Sequence, residues 1–181
     1  EDIAKKCMET IFIPTINAMN SEGRSFKGCL YFGLMLTPNG PKVIEYNCRF
    51  GDPETQVVLP RLKTDLVEIM EAVVDEKLAD IEIEWADNAA VCVVMASGGY
   101  PVSYEKGHLI SGIEDAEAMD DVTVFHAGTK LTADGFTNVG GRVLGVTATD
   151  DDLDLAIKRA YEAVGKISWK DEFHRNDIGV N

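Results

Sequence analysis

Between Lys42 and Pro60 the chain reads KVIEYNCRFGDPETQVVLP, an extended alternation that breaks at a glycine turn and restarts as a helix. In extended backbone successive side chains take opposite faces, so Val43, Glu45, Asn47 and Arg49 are expected on one face and Ile44, Tyr46 and Cys48 on the other. The first face is polar and convergent. A carboxylate and an amide oxygen two residues apart suit Mg²⁺, a hard cation that takes one or two protein ligands and completes its octahedron with water and nucleotide phosphates. The same alternation also fits an ordinary half-exposed strand with its polar residues outward. The turn Phe50 to Glu54 then reads as a helix start, with Asp52 at the N-cap, Pro53 at the first helical position and Glu54 in the first turn. An arginine ending a strand beside two acids concentrates charge at one point, which is costly unless something binds there.

Around this segment the periodicities set the elements. Ile3 to Met19 has helical spacing, with Ile3, Cys7, Ile11 and Ile16 on one side and Pro14 admissible only with a kink. Ser21 to Lys27 is a polar turn. Gly28 to Thr37 is too apolar to alternate and reads as a buried strand, joined through Pro38, Asn39 and Gly40 to an antiparallel strand beginning at Lys42. Asp65 with Glu68 forms a capping box for a helix whose stripe is Leu66, Ile69, Met70 and Val73. Ile81 to Asp87, with period 2, and the apolar run Ala89 to Ala96 read as strands, and a domain boundary is expected near residues 79 to 86. Beyond it come short β segments punctuated by glycine and one good helix. That helix is expected to be capped by Thr149 or Asp150, with Leu153, Ile157, Ala160, Val164 and Ile167 facing the core.

Composition limits the possible functions. With 181 residues and 45% hydrophobic content the chain can bury a sizeable core, and no run of about 18 apolar residues is present to span a membrane. The formal net charge of −14 argues against nonspecific nucleic-acid binding, which needs Lys and Arg to neutralise phosphates. A polyphosphate ligand would therefore need Mg²⁺ and locally placed cations. Cys7, Cys29, Cys48 and Cys92 show neither CxxC nor zinc spacing, so reduced thiols and a cytoplasmic location are expected. The first residue is Glu1 and no charged-then-apolar leader follows it, so the start reads as a cut.

The string EYNCRFGDPETQ followed by VVLPRL resembles the signature of glycinamide ribonucleotide synthetase (phosphoribosylamine-glycine ligase), an ATP-grasp enzyme family of purine synthesis. Upstream, PTINAMNSEGRSFKGCLYFGLM looks like the segment preceding that signature. Downstream, ASGGYP, KGHLISGI, FHAGT, GGRVLGVTA and HRNDIG look like the family's C-terminal domain, so the likeness runs from about residue 12 to residue 179. It implies an α+β fold, in which residues 1–84 form the C-terminal part of an ATP-grasp domain, an antiparallel sheet with helices, and residues 85–181 form a small β-rich lobe with a helix.

The resemblance implies a reaction as well as a fold. The family uses ATP to convert glycine to an acyl phosphate that the amine of 5-phosphoribosylamine attacks, chemistry that depends on positioning and charge neutralisation. By motif match Glu45 and Asn47 resemble the Mg²⁺ (or Mn²⁺) ligands. Arg49 would offset charge on the transferred phosphoryl group or the glycine carboxylate. Asp52 and Glu54 would orient the glycine ammonium, with the capping role still open for Asp52. His126 and Arg142 lie in matching motifs and would contact substrate. A satisfied histidine at a strand end is the other reading of His126, while Gly140 and Gly141 leave room beside Arg142 for a backbone or phosphate. His108, His174 and Lys130 read as surface or packing residues, and Trp85 and Trp169 as packing anchors.

Two departures qualify the resemblance. Gly28 to Leu36 has no Asp or Glu, although many ATP-grasp enzymes carry a second acidic ligand on the preceding strand. Nothing here resembles the family's N-terminal domain or the lobe that clamps the nucleotide, so the 181 residues alone are expected to have little or no ligase activity. Another carboxylate-activating ATP-grasp enzyme, or a noncatalytic interaction module of the same fold, are the competing readings.

Overall fold

The computed structural model describes residues 2–180 and divides into two compact units, one containing the residues up to Gly51 with Thr64–Ile83, the other Asp52–Lys63 with Glu84 onward. In the first unit one continuous helical run comprises α1 (Asp2–Cys7), a π-helical segment (Met8–Phe12) and α2 (Ile13–Ser21). The widened turn is the kink required by Pro14. A proline ring clashes with the carbonyl four residues back, and here the Ile13 amide instead reaches the Met8 carbonyl five residues back. The hairpin of β1 (Tyr31–Thr37) and β2 (Gly40–Asn47) follows, antiparallel as the turn chemistry predicts. Gly40 takes φ +93° at the end of the two-residue turn, and the Thr37 hydroxyl donates to its carbonyl at 2.8 Å.

The hairpin departs from the sequence reading in two ways. Leu34 pairs with Val43 and Gly33 with Glu45, so one residue of β2, Ile44, is bulged out of register. Directly paired residues share a face, and the bulge therefore moves Val43 to the face of Phe32 and Tyr46, away from Glu45. The strand is also less buried than its apolarity suggests. Phe32 packs between Phe12 and Tyr46, with ring centroids at 4.4 and 5.2 Å, but Met35 and Leu36 are 54% and 61% exposed.

Between the two stretches of the first unit, Asp52–Lys63 belongs to the second and contains α3 (Thr55–Val58), which runs into a 3₁₀ turn at Leu59–Arg61. The helix therefore starts two residues later than the motif suggests, at Thr55 rather than Pro53. Glu54, not Asp52, occupies the cap position, and its side chain makes no cap bond. In the first unit α4 (Leu66–Val74) is capped as expected, the Asp65 carboxylate accepting from the Val67 amide at 2.7 Å. Its buried residue is Ala72, while Met70 points outward.

The second unit holds the main hydrophobic core. Its elements are β3 (Ala89–Ser97), α5 (Ile113–Glu117), β4 (Val122–His126), β5 (Thr129–Thr132), β6 (Gly135–Asn138), β7 (Arg142–Asp150), α6 (Leu153–Val164) and β8 (Glu172–Phe173). Four strands form an antiparallel sheet in the order β4-β7-β3-β8, and β5 and β6 form a separate hairpin. Ala156, Ala160 and Ala163 let α6 lie close over Val93, Met95 and Val146 on one face. On the other face Gly145 and Cys92 lie against Gln56 of α3. Cover on both sides explains why β3 reads as an unbroken apolar run.

Three expectations for this unit change. Residues 81–87 form no strand beyond one bridge, Trp85 to Leu62, and Trp85 is 47% exposed. The helix cap is Asp152, whose carboxylate accepts from the Asp154 and Leu155 amides, because β7 still pairs through Asp150. Leu153, expected in the core, is 47% exposed, while Ile167 is buried as read. Trp169 is buried as anticipated.

Candidate active site

The sequence-predicted residues fall in both units. In the first, Glu45 and Asn47 lie on one face of β2 beside Gly33 and Tyr31, their partners in register. Asn47 Nδ2 donates to Glu45 Oε1 at 3.0 Å, so the two side chains converge. A carboxylate and an amide at this separation offer two hard oxygen donors to one cation, provided the amide presents its oxygen, and they leave most of an octahedron for water and phosphate. The donor set fits Mg²⁺ in number and kind. Among the described residues there is no cluster of three or more His, Cys, Asp or Glu able to hold a metal by itself. Arg49 lies beyond the end of β2 in a bend, off the strand ladder, and its Nη1 donates to the Phe50 carbonyl at 2.8 Å.

In the second unit the fold brings Asp52 and Arg142 together across 90 residues of sequence. Arg142 Nη1 donates to the Asp52 carbonyl at 2.9 Å, and Nη2 lies 3.3 Å from Oδ2. Gln56, to which the sequence reading gave no role, completes the group, its Nε2 donating to Asp52 Oδ1 at 3.0 Å. Its position four residues after Asp52 was the available signal, since i,i+4 side chains are neighbours once a helical turn forms. The Gln56 carbonyl in turn accepts from the Thr147 hydroxyl at 3.0 Å, tying α3 to β7. Nearby, burial pushes the Cys92 thiol up from its ordinary value, which suits a packing role. Glu54 is half-buried at the start of α3.

The segments FHAGT and GGRV pack backbone against backbone. Gly128 donates to the Arg142 carbonyl at 3.0 Å and accepts from Val139 and Gly140 at 2.7 and 3.1 Å. The room expected beside Arg142 is filled by the protein itself, since a Cβ on Gly140 would meet Gly128 Cα at 2.9 Å and one on Gly141 would strike the Tyr100 ring. His126 closes β4 opposite Leu144 and so lies at the Arg142 end of β7. Its Nδ1 is 2.9 Å from the Thr129 hydroxyl, and its ring lies 4.3 Å from that of Phe136. It borders a cleft of about 420 Å³ with Glu114, Asp115 and Glu117.

The remaining histidines are held by neighbouring carboxylates, His108 by Glu105 at 3.1 Å and His174 by Glu172 at 3.2 Å. HRNDIG is a docking loop. The Tyr161 hydroxyl of α6 donates to the Arg175 carbonyl at 2.8 Å and accepts from the Ile178 amide at 2.9 Å, and Arg175 grips Asp177 through two nitrogens.

Two family models match the chain in succession. Residues 90–181 match the family model for the phosphoribosylglycinamide synthetase C domain, and residues 1–55 match that for its ATP-grasp (A) domain. A phosphoribosylamine–glycine ligase of Rhodopirellula baltica is 54% identical over 179 residues, which are 98% of this chain and 41% of that relative. The trifunctional purine biosynthetic protein adenosine-3 of Gallus gallus is 49% identical over 180 residues, 99% of this chain and 18% of its own length. The crystal structure of phosphoribosylamine–glycine ligase from Thermotoga maritima superposes with a TM-score of 0.83 at 31% identity, covering 98% of this chain and 44% of that one. The chain thus spans less than half the length of these relatives. With both family models matched in order along it, the chain belongs to the phosphoribosylglycinamide synthetase family.

Proposed function

We propose that this chain is the part of a phosphoribosylamine–glycine ligase that carries its metal-binding strand and C-terminal lobe, divided into an ATP-grasp portion, 1–84, and a β-rich lobe, 85–181. The reaction joins the carboxyl group of glycine to the amino group of 5-phosphoribosylamine. The γ-phosphoryl of ATP passes to a carboxylate oxygen, giving glycyl phosphate and ADP. The amine then attacks the acyl carbon, phosphate leaves, and the amide of glycinamide ribonucleotide remains. The observation that carries this reading is the pairing of Glu45 and Asn47 at 3.0 Å on one face of β2, within the string that matches the family signature.

Glu45 and Asn47 would hold Mg²⁺, which when bound neutralises and orients nucleotide phosphate oxygens. The Arg49 guanidinium supplies charge for the phosphoryl group or the glycine carboxylate, and its planar fork matches either. Asp52, held by Gln56 and Arg142, presents a fixed carboxylate to the glycine ammonium, with Glu54 adding negative charge at the same turn. Arg142 and His126, at one end of the β4–β7 ladder, would meet the phosphoribosyl substrate. The nucleotide clamp is supplied by the other domains of the same enzyme, and the setting is the cytoplasm.

The test is phosphate release on addition of ATP, glycine and phosphoribosylamine. The full-length ligase containing this sequence is expected to turn over, and the isolated 181-residue chain is expected to show little or none. Robust turnover by the isolated chain would refute the proposed dependence on the other domains.

A further inference from the structure

We propose that Gly33 is a positioning residue for the Glu45 carboxylate, acting by leaving open the lane in which that side chain lies. The inference rests on the reading of Glu45 as a metal ligand and adds a residue on the neighbouring strand to it. Gly33 is the direct partner of Glu45 in the β1–β2 ladder, at the point where the register steps past Ile44. On that face of β1 it stands between Tyr31 and Met35, two large side chains, so the missing side chain is a gap in a filled row. Glu45 lies across the gap. A Cβ built on Gly33 would stand 2.8 Å from Glu45 Cγ, 3.5 Å from Oε1 and 3.6 Å from Cδ.

The atom struck first is Cγ, midway along the side chain, so the carboxylate cannot evade the clash by rotating its end alone. A new χ1 or χ2 would carry Oε1 away from the Asn47 amide with which it now bonds. The φ of Gly33 lies outside the left-handed region, so the backbone itself does not require glycine here. What the position excludes is volume. The bulge contributes as well, since it brings Glu45 into register with the glycine and leaves Leu34 opposite Val43.

The test uses the full-length ligase containing this sequence and reads Mn²⁺ affinity by electron paramagnetic resonance in the presence of a nonhydrolysable ATP analogue. Thermal melting is followed in parallel. Gly33→Ala is expected to weaken Mn²⁺ binding about tenfold, the effect of a displaced ligand support. Glu45→Ala is expected to weaken it at least as much, leaving the weaker hold of the phosphates. In the double variant the methyl group introduced on β1 meets no Cγ, so Gly33→Ala should have no further effect on affinity or melting in the Glu45→Ala background. Wild-type affinity in Gly33→Ala, or an equal loss in both backgrounds, would overturn the proposal and assign Gly33 no role beyond the strand. Wild-type affinity in Glu45→Ala would instead overturn the metal reading itself, and the positioning role would fall with it.

Discussion

Asn138 is completely buried, yet every polar atom of its side chain is used. Nδ2 donates to the Ser97 hydroxyl at 2.8 Å and to the Glu105 carbonyl at 2.9 Å, and Oδ1 accepts from the His108 amide at 2.8 Å. One amide thereby ties β6 to the end of β3 and to the loop leading to His108. Truncation would remove this partner from the part-buried Glu105 carbonyl and His108 amide, and orphaned groups cost up to about 1–3 kcal/mol where they are fully buried. Asn138→Ala should lower the melting temperature by several degrees in a circular dichroism melt, and an unchanged melt would contradict this account. Nothing in the sequence marked Asn138, because its partners lie about 30 to 40 positions away and a polar residue in a glycine-rich stretch reads as a turn. Glu45 and Asn47 were legible for the opposite reason, since the two residues that converge are two apart on one strand. Asp52 and Gln56 lay within reach of local reasoning as an i,i+4 pair. The hold of Arg142 on Asp52 did not, because it depends on how β7 packs in the second unit.

Elements were legible where the pattern was local and were redrawn where pairing decided. The helix α6 is legible from the middle of its 3.6-residue stripe, Ile157, Ala160 and Val164, but its cap moves to Asp152 because β7 stays paired with β3 as far as Ala89 and Asp150. The alternating segment near Ile81 fails as a strand for the complementary reason, as only Trp85 finds a bridging partner. In β2 the period of 2 holds from Glu45 to Asn47 and is broken just before it by the bulge, which no side-chain pattern announced. The cap offers a clean test at this scale. Asp152 satisfies two amides of the first turn of α6, and replacing such a cap by alanine costs about 1 kcal/mol. Asp152→Ala should lower the melting temperature by roughly 2–4 °C for a domain of this size, while Asp151→Ala, next to it and without a capping bond, should leave the melt unchanged. Equal effects from the two would remove the cap from the account.

At the scale of the molecule, burial is uneven in a way that bears on function. The cluster of buried apolar residues runs from Val91 to Trp169, all within the second unit, whereas among its described residues the first unit fully buries little beyond Cys7 and Ala72. The first unit contains the residues proposed to hold the metal, on a hairpin whose Met35, Leu36, Ile44 and Tyr46 remain exposed. A two-strand hairpin gains little stability from its own contacts, so the strand proposed to hold the metal is the part of this chain expected to depend most on the rest of the proposed ligase. The net charge of −14 bears on the same proposal, since a triphosphate approaching so acidic a chain would need a divalent cation to neutralise it. The most direct measurement is anomalous diffraction from Mn²⁺ in crystals of the full-length ligase with a nonhydrolysable ATP analogue. The account predicts one Mn²⁺ bonded to a Glu45 carboxylate oxygen and to Asn47 Oδ1, each at about 2.1 Å, and also to nucleotide phosphate. Mn²⁺ bound to the nucleotide while neither side chain reaches it would contradict the claim.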